Sequence, residues 1–103
     1  MDYAIILTTC PNEQEAKDLA LKIIAQKLAA CVQLSKIQSF YTWKGNTCID
    51  PEIRLTIKTR KSLYEALETF IKKHHGYEVP QIVMLSITDG SDNYLDWINE
   101  NTK

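Results

Sequence analysis

Two segments with strand-like alternation meet at Gly45-Asn46, and this hairpin limits most strongly how the chain can fold. On the second arm, apolar or small side chains occupy odd positions from Ile53 to Thr59, and polar or charged ones occupy even positions from Arg54 to Arg60. A period of two is typical of a strand with one buried and one wet face. Since Gly-Asn is a turn signal, the sequence predicts a long antiparallel hairpin.

The first arm of the hairpin changes its parity part-way along. Val32 and Leu34 are apolar on even positions, whereas Ile37, Tyr41 and Trp43 are apolar on odd positions. A slip of one residue reverses which face points inward. We therefore expect a β-bulge near residues 35–36.

Strands and helices alternate in the rest of the chain. Apolar runs at 3–8 and 82–87 predict strands that are covered on both faces. Between the first run and the hairpin, apolar residues at steps of three and four predict a helix that ends near Ala29 or Ala30. The whole chain, 1–103, is expected to form one domain.

Two further helices are predicted after the hairpin. Ser62 and Glu65 have the spacing of a capping box, and Gly76 would end that helix in a left-handed conformation. Ser91 or Asp92 can cap a short final helix. The order β-α-β-β-α-β plus a C-terminal helix indicates an α+β, ferredoxin-like split βαβ fold, with two helices on one face of an antiparallel sheet.

The other face of this sheet would carry Tyr41 and Trp43 without a cover. Exposed strand edges and large apolar patches favour association. We therefore expect the protein to form a homo-oligomer.

Charge and cysteine content exclude several classes of function. Twelve Lys plus Arg against 13 Asp plus Glu give a net charge of -1, so no field attracts nucleic acid or an anionic membrane. The three cysteines are odd in number and widely spaced, which argues against a disulfide framework and favours a reducing cytoplasm. No apolar run approaches the ~18 residues of a membrane span, so neither a signal peptide nor a membrane helix is expected.

Candidate metal ligands lie at the ends of two predicted elements. Cys10 follows the first strand, and His74 and His75 end the second helix. If these ends share one edge of the sheet, sulfur and imidazole nitrogen would form a site suited to copper or zinc. Simpler roles remain open: Cys10 could be a small apolar residue of the core, and His74 and His75 could stabilise the C-terminus of the helix. Cys10 beside an imidazole would also resemble an activated thiol.

Other enzyme signatures are missing from the sequence. It contains no Gly-rich phosphate loop, H-E-x-x-H helix or G-x-S-x-G elbow. We therefore expect a protein that is not an enzyme. The basic cluster Lys58, Arg60 and Lys61 is typical of a solvated face, although it could line a pocket together with Tyr41 and Trp43.

Five motifs together resemble the CutA divalent-cation tolerance proteins, in the order and at about the spacing of that family. They are Leu28-Ala29-Ala30-Cys31-Val32, Tyr41-Thr42-Trp43-Lys44-Gly45, Ile57-Lys58-Thr59-Arg60, His75-Gly76-Tyr77-Glu78-Val79-Pro80 and Tyr94-Leu95-Asp96-Trp97. The resemblance covers nearly the whole chain. It implies a ferredoxin-like protomer, a tight homotrimer and an association with copper and other divalent metals.

The resemblance also implies functional residues. It links the metal to His75, with His74 as a neighbour, and to a cysteine near the first strand in some bacterial members. Thr8 stands where that cysteine would be, and Cys10 lies two residues later with the same strand parity.

The motif residues Trp43, Lys58, Tyr77 and Glu78 correspond to positions that would line clefts between protomers. A small ligand could bind there.

Together these inferences predict a cytoplasmic homotrimer that binds copper(II) or a similar divalent cation through His74 or His75, with Cys10 as a sulfur donor. One alternative is a regulatory trimer of PII type that senses a small molecule in an inter-subunit cleft. Another is an enzyme with acylphosphatase-like or thiol-dependent chemistry, although a fold alone does not imply a function.

Overall fold

The computed structural model describes residues 2–103, which form four strands and three α-helices. In chain order they are β1 (Tyr3–Cys10), α1 (Glu13–Ala25), β2 (Cys31–Trp43), β3 (Asn46–Arg60), a 3₁₀ turn (Lys61–Leu63), α2 (Tyr64–His74), β4 (Val83–Ile87) and α3 (Asp92–Glu100). The predicted β-α-β-β-α-β order with a C-terminal helix is confirmed.

The strands form one antiparallel sheet in the order β2-β3-β1-β4. This is the strand order of the split βαβ fold predicted from the sequence. Within residues 2–103, β2 and β4 are the two outer edges of the sheet, and each pairs with a strand on one side only.

The core lies between one face of the sheet and the helices α1 and α2. Even-numbered residues of β1 and odd-numbered residues of β3 share this face through their pairing register. Buried members of the core include Ala4, Ile6, Cys10, Ile53, Leu55 and Ile57 from the sheet and Ala16, Leu19, Ile23, Leu67 and Ile71 from the helices. Ser91 caps α3, as expected from the sequence: its side chain accepts a hydrogen bond from the Tyr94 amide.

Helix α3 packs on the opposite face of the sheet. The Lys58 ammonium lies 5.3 Å from the centroid of the Tyr94 ring, and Arg60 Nε donates a hydrogen bond to Thr102 Oγ1 at 2.9 Å. Ile98 of α3 is fully buried. The second face of the sheet is therefore covered at the Lys58–Arg60 end, while the hairpin tip extends beyond the helices.

The predicted β-bulge is wrong. The register of β2 against β3 runs without interruption from Cys31 opposite Lys58 to Trp43 opposite Asn46. The parity change has a different cause: Val32 and Leu34 lie on the core face of the sheet, opposite Ile57 and Leu55, whereas Tyr41 and Trp43 nearer the tip lie on the other face. The turn lies one residue earlier than the predicted Gly45-Asn46, because Asn46 already belongs to β3. Lys44 and Gly45, with φ angles of 50° and 80°, form the two-residue turn with positive φ that suits a twisted hairpin.

Helix α1 ends earlier than predicted, at Ala25. Lys27 adopts a left-handed φ of 56°, and the Leu28 amide donates to the Ile23 carbonyl at 3.2 Å. This is the pattern of a Schellman cap, with buried Leu28 as its apolar contact. No glycine marks it in the sequence, so periodicity alone extended the helix too far.

Both caps predicted for α2 are wrong. The helix follows the 3₁₀ turn without a side-chain cap at Leu63, so Ser62 and Glu65 do not form a capping box. Among residues 2–103, Gly45 is the one glycine with positive φ, so Gly76 is not left-handed. The chain leaves α2 in an extended conformation at His75 instead.

The strand β4 is not covered on both faces as predicted. Val83, Met84 and Leu85 are 43%, 40% and 50% exposed at the edge of the sheet. None of the helices formed by the described residues is long and apolar enough to cross a lipid bilayer.

Candidate functional site

The C-terminal end of α2 lies between a small pocket and a larger groove. We call the pocket of about 130 Å³ the histidine pocket; its polar lining comes from Cys10, Glu15, Asp18, Lys22, His74 and His75. The groove of about 600 Å³ is called the aromatic groove, and it is lined in part by Phe40, Tyr41, Trp43, Glu52, Tyr77 and Glu78. Gly76 lines both.

His75 is fully hydrogen-bonded through both ring nitrogens. Its Nε2 atom lies 2.5 Å from the Thr9 carbonyl oxygen, and the Tyr77 amide donates to its Nδ1 atom at 3.1 Å. A backbone amide can only donate, so Nδ1 accepts and Nε2 carries the proton. The imidazole is therefore a neutral connector between β1 and the segment that follows α2.

His74 differs from its neighbour because its ring is exposed. It is the last residue of α2, and its ring packs against Phe70 with the centroids 4.3 Å apart. The ring makes no hydrogen bond to any residue in the 2–103 range. Its nitrogens are therefore available to an ion at the mouth of the histidine pocket.

Cys10 is a buried free thiol, only 3% exposed. Burial, together with the negative charges of Glu15 and Glu52, raises the pKa of Cys10 to about 11. The thiol is therefore protonated at neutral pH, unlike the low-pKa cysteines that act as nucleophiles. This environment argues against the thiol-dependent enzyme.

Two carboxylates that the sequence motifs do not mark as ligands, Glu15 and Asp18, complete the pocket. Glu15 accepts a hydrogen bond from the Asn12 side chain at 2.9 Å, and Asp18 accepts one from Gln14 at 2.9 Å. Their spacing of three residues places both on one face of α1. That spacing is the available signal in the sequence, but acidic residues such as Glu15 are also common in the first turn of a helix.

The donor types around the pocket suit a divalent cation, although the ligands are not preassembled. Imidazole, carboxylate and thiol donors together match ions such as copper and zinc. Across residues 2–103, no three His, Cys, Asp or Glu side chains are positioned to hold one ion. Metal binding would thus require side chains to reorient around His74.

Hydrogen bonds to carboxylates fix two tyrosines near the aromatic groove. Tyr77 Oη donates to Glu52 at 2.8 Å, and Tyr41 Oη donates to Asp50. Burial and then the bond to Glu52 raise the pKa of Tyr77, while the bond to Asp50 is the main cause that raises the pKa of Tyr41 to about 12. Both phenols are therefore neutral donors at physiological pH.

Within one protomer, the structure brings together three of the four residues that were predicted to line a cleft between protomers, and the inter-subunit cleft itself stays a prediction. Trp43, Tyr77 and Glu78 line the aromatic groove. Lys58 does not line this groove, because it lies beside Tyr94 at the other end of β3. Asn46, which pairs with Trp43, is twelve residues or about 40 Å away from Lys58 along the strand. For the same reason, Tyr41 and Trp43 form no common pocket with the basic cluster.

Comparison with known proteins agrees with this architecture. The family model described as CutA1 divalent ion tolerance protein matches residues 4–101. The chain belongs to the CutA1 divalent ion tolerance family. The chloroplastic protein CutA of Arabidopsis thaliana is 43% identical over 100 residues, which cover 96% of this chain and 55% of that protein.

Solved structures of CutA1 proteins have the same fold. The CutA1 crystal structure from Oryza sativa is 40% identical with a TM-score of 0.97, covering 100% of this chain and 95% of that one. The periplasmic divalent cation tolerance protein CutA from Archaeoglobus fulgidus is 33% identical with a TM-score of 0.96, and 98% of this chain and 99% of that one are covered. The chain spans about half the length of the plant and mammalian relatives it matches.

Proposed function

We propose that this CutA1-family chain is a non-enzymatic, cytoplasmic divalent-cation tolerance protein that binds copper(II) or a similar divalent cation at the histidine pocket. The observation that carries the proposal is the exposed His74 imidazole beside a pocket that also contains carboxylate and thiol groups. The family description, divalent ion tolerance, supports a metal as the ligand.

The residues of the pocket have distinct roles in this proposal. His74 is the first ligand because its ring nitrogens are available. Glu15 and Asp18 supply oxygen donors from α1, and Cys10 supplies sulfur after losing its proton to the solvent. Metal binding and proton release are coupled when a ligand must be deprotonated, so copper affinity should rise with pH. His75 positions the end of α2 and becomes a ligand only if its two hydrogen bonds break.

We further propose a homotrimer. The sheet has two outer edges, β2 and β4, and apolar side chains near both are exposed, among them Trp43 and Leu85. Such edges are templates for pairing with another chain. We infer that the β2 edge of one subunit pairs with the β4 edge of the next and that three copies complete the ring. Such a head-to-tail contact leaves no free edge when the rotation between subunits closes.

To test the metal proposal, the metal-stripped protein is titrated with limiting copper(II) and zinc(II). Native mass spectrometry then measures the number of subunits and of bound ions in the intact assembly. A trimer that takes up one copper ion per protomer is expected. His74→Ala should reduce copper affinity at least tenfold, whereas Lys73→Ala, an exposed neighbour on the same helix, should leave it unchanged. Equal affinity of the His74→Ala and wild-type proteins would overturn the assignment.

A second candidate function is a PII-like regulatory trimer that senses a small molecule. The aromatic groove favours it, because its volume of about 600 Å³ lies in the range of small-molecule sites. In the trimer this groove would lie near a subunit boundary, because Trp43 ends the edge strand β2. A ligand that raises the melting temperature of the metal-free protein would support the sensor.

A further inference from the structure

We propose that Asp89-Gly90 is a site of spontaneous modification, at which Asp89 cyclises onto the Gly90 amide nitrogen and reopens as isoaspartate. The site lies in the loop between β4 and α3. It depends neither on metal binding at the histidine pocket nor on a ligand in the aromatic groove.

The residue that follows an aspartate decides how easily such a ring closes. Of the six aspartates in the chain, Asp89 is the one that precedes a glycine. The residues after the other five are Tyr3, Leu19, Pro51, Asn93 and Trp97. Because glycine has no Cβ, it leaves its amide nitrogen open to the carboxyl group and its backbone free to turn. The sequence thus distinguishes Asp89 from the other aspartates.

The reacting groups of Asp89 and Gly90 are already neighbours in the structure. The Gly90 amide donates a hydrogen bond to Asp89 Oδ1 at 2.9 Å. Since the carboxyl carbon is bonded to that oxygen, the amide nitrogen has to move only from the oxygen to the adjacent carbon. Holding two reacting groups together in this way raises the rate of their reaction over that of freely moving groups.

The backbone of this loop is not tied into a helix or a strand. Residues 88–90 belong to neither, and within residues 2–103 no backbone carbonyl accepts a hydrogen bond from the Gly90 amide. Ring closure therefore breaks no backbone hydrogen bond. The loop follows Ile87, which pairs with Tyr3, and Tyr3 pairs in turn with Arg60. The site thus lies at the end of the sheet opposite the hairpin tip.

The reaction needs no oxidant, metal or cofactor. The Asp89 carboxylate takes up a proton, and the Gly90 nitrogen attacks the carboxyl carbon. A carbon–nitrogen bond forms, the bond from that carbon to the hydroxyl breaks, and the hydroxyl leaves with the amide proton as water. Water then adds to the main-chain carbonyl of the succinimide and breaks its bond to nitrogen. The new carboxyl group releases the proton, so mass and charge are unchanged.

Isoaspartate changes the start of α3. The main chain gains one methylene group at residue 89, two residues before Ser91, whose side chain caps the helix. Gly90 is closely packed as well, because a Cβ built there would lie 3.3 Å from Leu95 Cδ2. A longer main chain at this point displaces the cap or Leu95. We therefore expect the modified protein to unfold at a lower urea concentration than the fresh protein.

The test incubates the intact assembly at neutral pH and body temperature. Isoaspartyl methyltransferase with labelled S-adenosylmethionine counts the isoaspartate that forms, and mass spectrometry of peptides locates it. We expect at least tenfold more isoaspartate at residue 89 than at any other aspartate. No isoaspartate at residue 89, or equal amounts at all six positions, would overturn the proposal.

Two matched variants test the assignment to Asp89. In Asp89→Glu the ring would have six members and close more slowly, so methyl acceptance should fall at least tenfold. Asp92→Glu, in the first turn of α3, should leave it unchanged. Native mass spectrometry of each variant checks that the assembly is intact. Undiminished methyl acceptance in an intact Asp89→Glu protein would contradict the assignment.

A second incubation, of protein unfolded in urea, separates the effect of the fold from that of the sequence. Because the folded loop holds the Gly90 amide against the carboxyl group, isoaspartate should form at residue 89 at least as fast in the folded protein. A reaction at least tenfold slower in the folded protein would mean that the loop or a neighbouring subunit protects Asp89. That result would overturn the proposal.

Discussion

The Nε2 atom of His75 lies 2.5 Å from the carbonyl oxygen of Thr9, so one imidazole ties the end of α2 to β1. Through Nδ1 the same ring accepts the Tyr77 amide, and it thereby also holds the start of the segment that leads to β4. The histidine pocket and the aromatic groove lie on either side of this connection, with Gly76 common to both. His75 is therefore a structural link between the two candidate sites.

Replacing His75 with Ala should lower the free energy of unfolding by about 1–3 kcal/mol, because the buried Thr9 carbonyl loses its partner. His74→Ala should change it by less than about 0.5 kcal/mol, since that ring is exposed. Urea unfolding at one fixed protein concentration measures both. Equal losses in the two variants would contradict the different roles assigned to these adjacent histidines.

A buried hydroxyl without a partner gives a second prediction. Thr8 is fully buried, and its Oγ1 atom has no hydrogen-bond partner within the described chain. Thr8→Val removes this polar atom at nearly constant volume and should stabilise the fold by about 1 kcal/mol. Thr59 is the matched control: it is equally buried, but its hydroxyl donates to the Leu28 carbonyl at 2.7 Å.

Thr59→Val should therefore destabilise the protein by about 1–2 kcal/mol in the same urea experiment. Opposite signs for two chemically identical substitutions are expected. If Thr8→Val destabilises the fold as much as Thr59→Val does, the Thr8 hydroxyl has a partner after all.

Alkaline pH provides a third test, through Cys10. Its pKa is raised to about 11 in the folded protein, against an ordinary value of about 9. The fold favours the protonated thiol, so the stability that Cys10 contributes is fully present below about pH 9 and is lost as the pH rises through about 11. The difference in unfolding free energy between wild type and Cys10→Ala should shrink over that interval. Curves that stay parallel from pH 8 to 11 would show that the thiol is not protected.

The order of elements could be read from the sequence because periodicity reports which face of an element is buried. Strict alternation from Ile53 to Thr59 identified β3, and the Gly45 turn identified the hairpin. The ends of helices and strands were harder to predict, because they depend on backbone hydrogen bonds. The α1 cap uses Lys27 in a left-handed conformation, and residue type alone does not reveal it.

The candidate site could be predicted in part, because the order of elements limits where the ends of β1 and α2 can lie. The sequence predicted a common site for Cys10 and His74 on the condition that the ends of β1 and α2 share one edge of the sheet, and the two residues line one pocket. What sequence could not reveal was that His75 uses both ring nitrogens, or that Tyr77 reaches Glu52, 25 residues away along the chain. Such long-range hydrogen bonds depend on the path of the backbone after α2.

The assembly gives the last prediction. Leu85 is 50% exposed on the edge strand β4, whereas Leu21 is 70% exposed on α1. In the proposed trimer β4 contacts the neighbouring subunit, so Leu85→Lys would bury a charge at that boundary at a cost that favours separate chains. Native mass spectrometry at micromolar concentration should then show monomers for Leu85→Lys and trimers for Leu21→Lys. A trimeric Leu85→Lys protein would mean that the β4 edge does not join the subunits, and a monomeric Leu21→Lys protein would place the interface on α1.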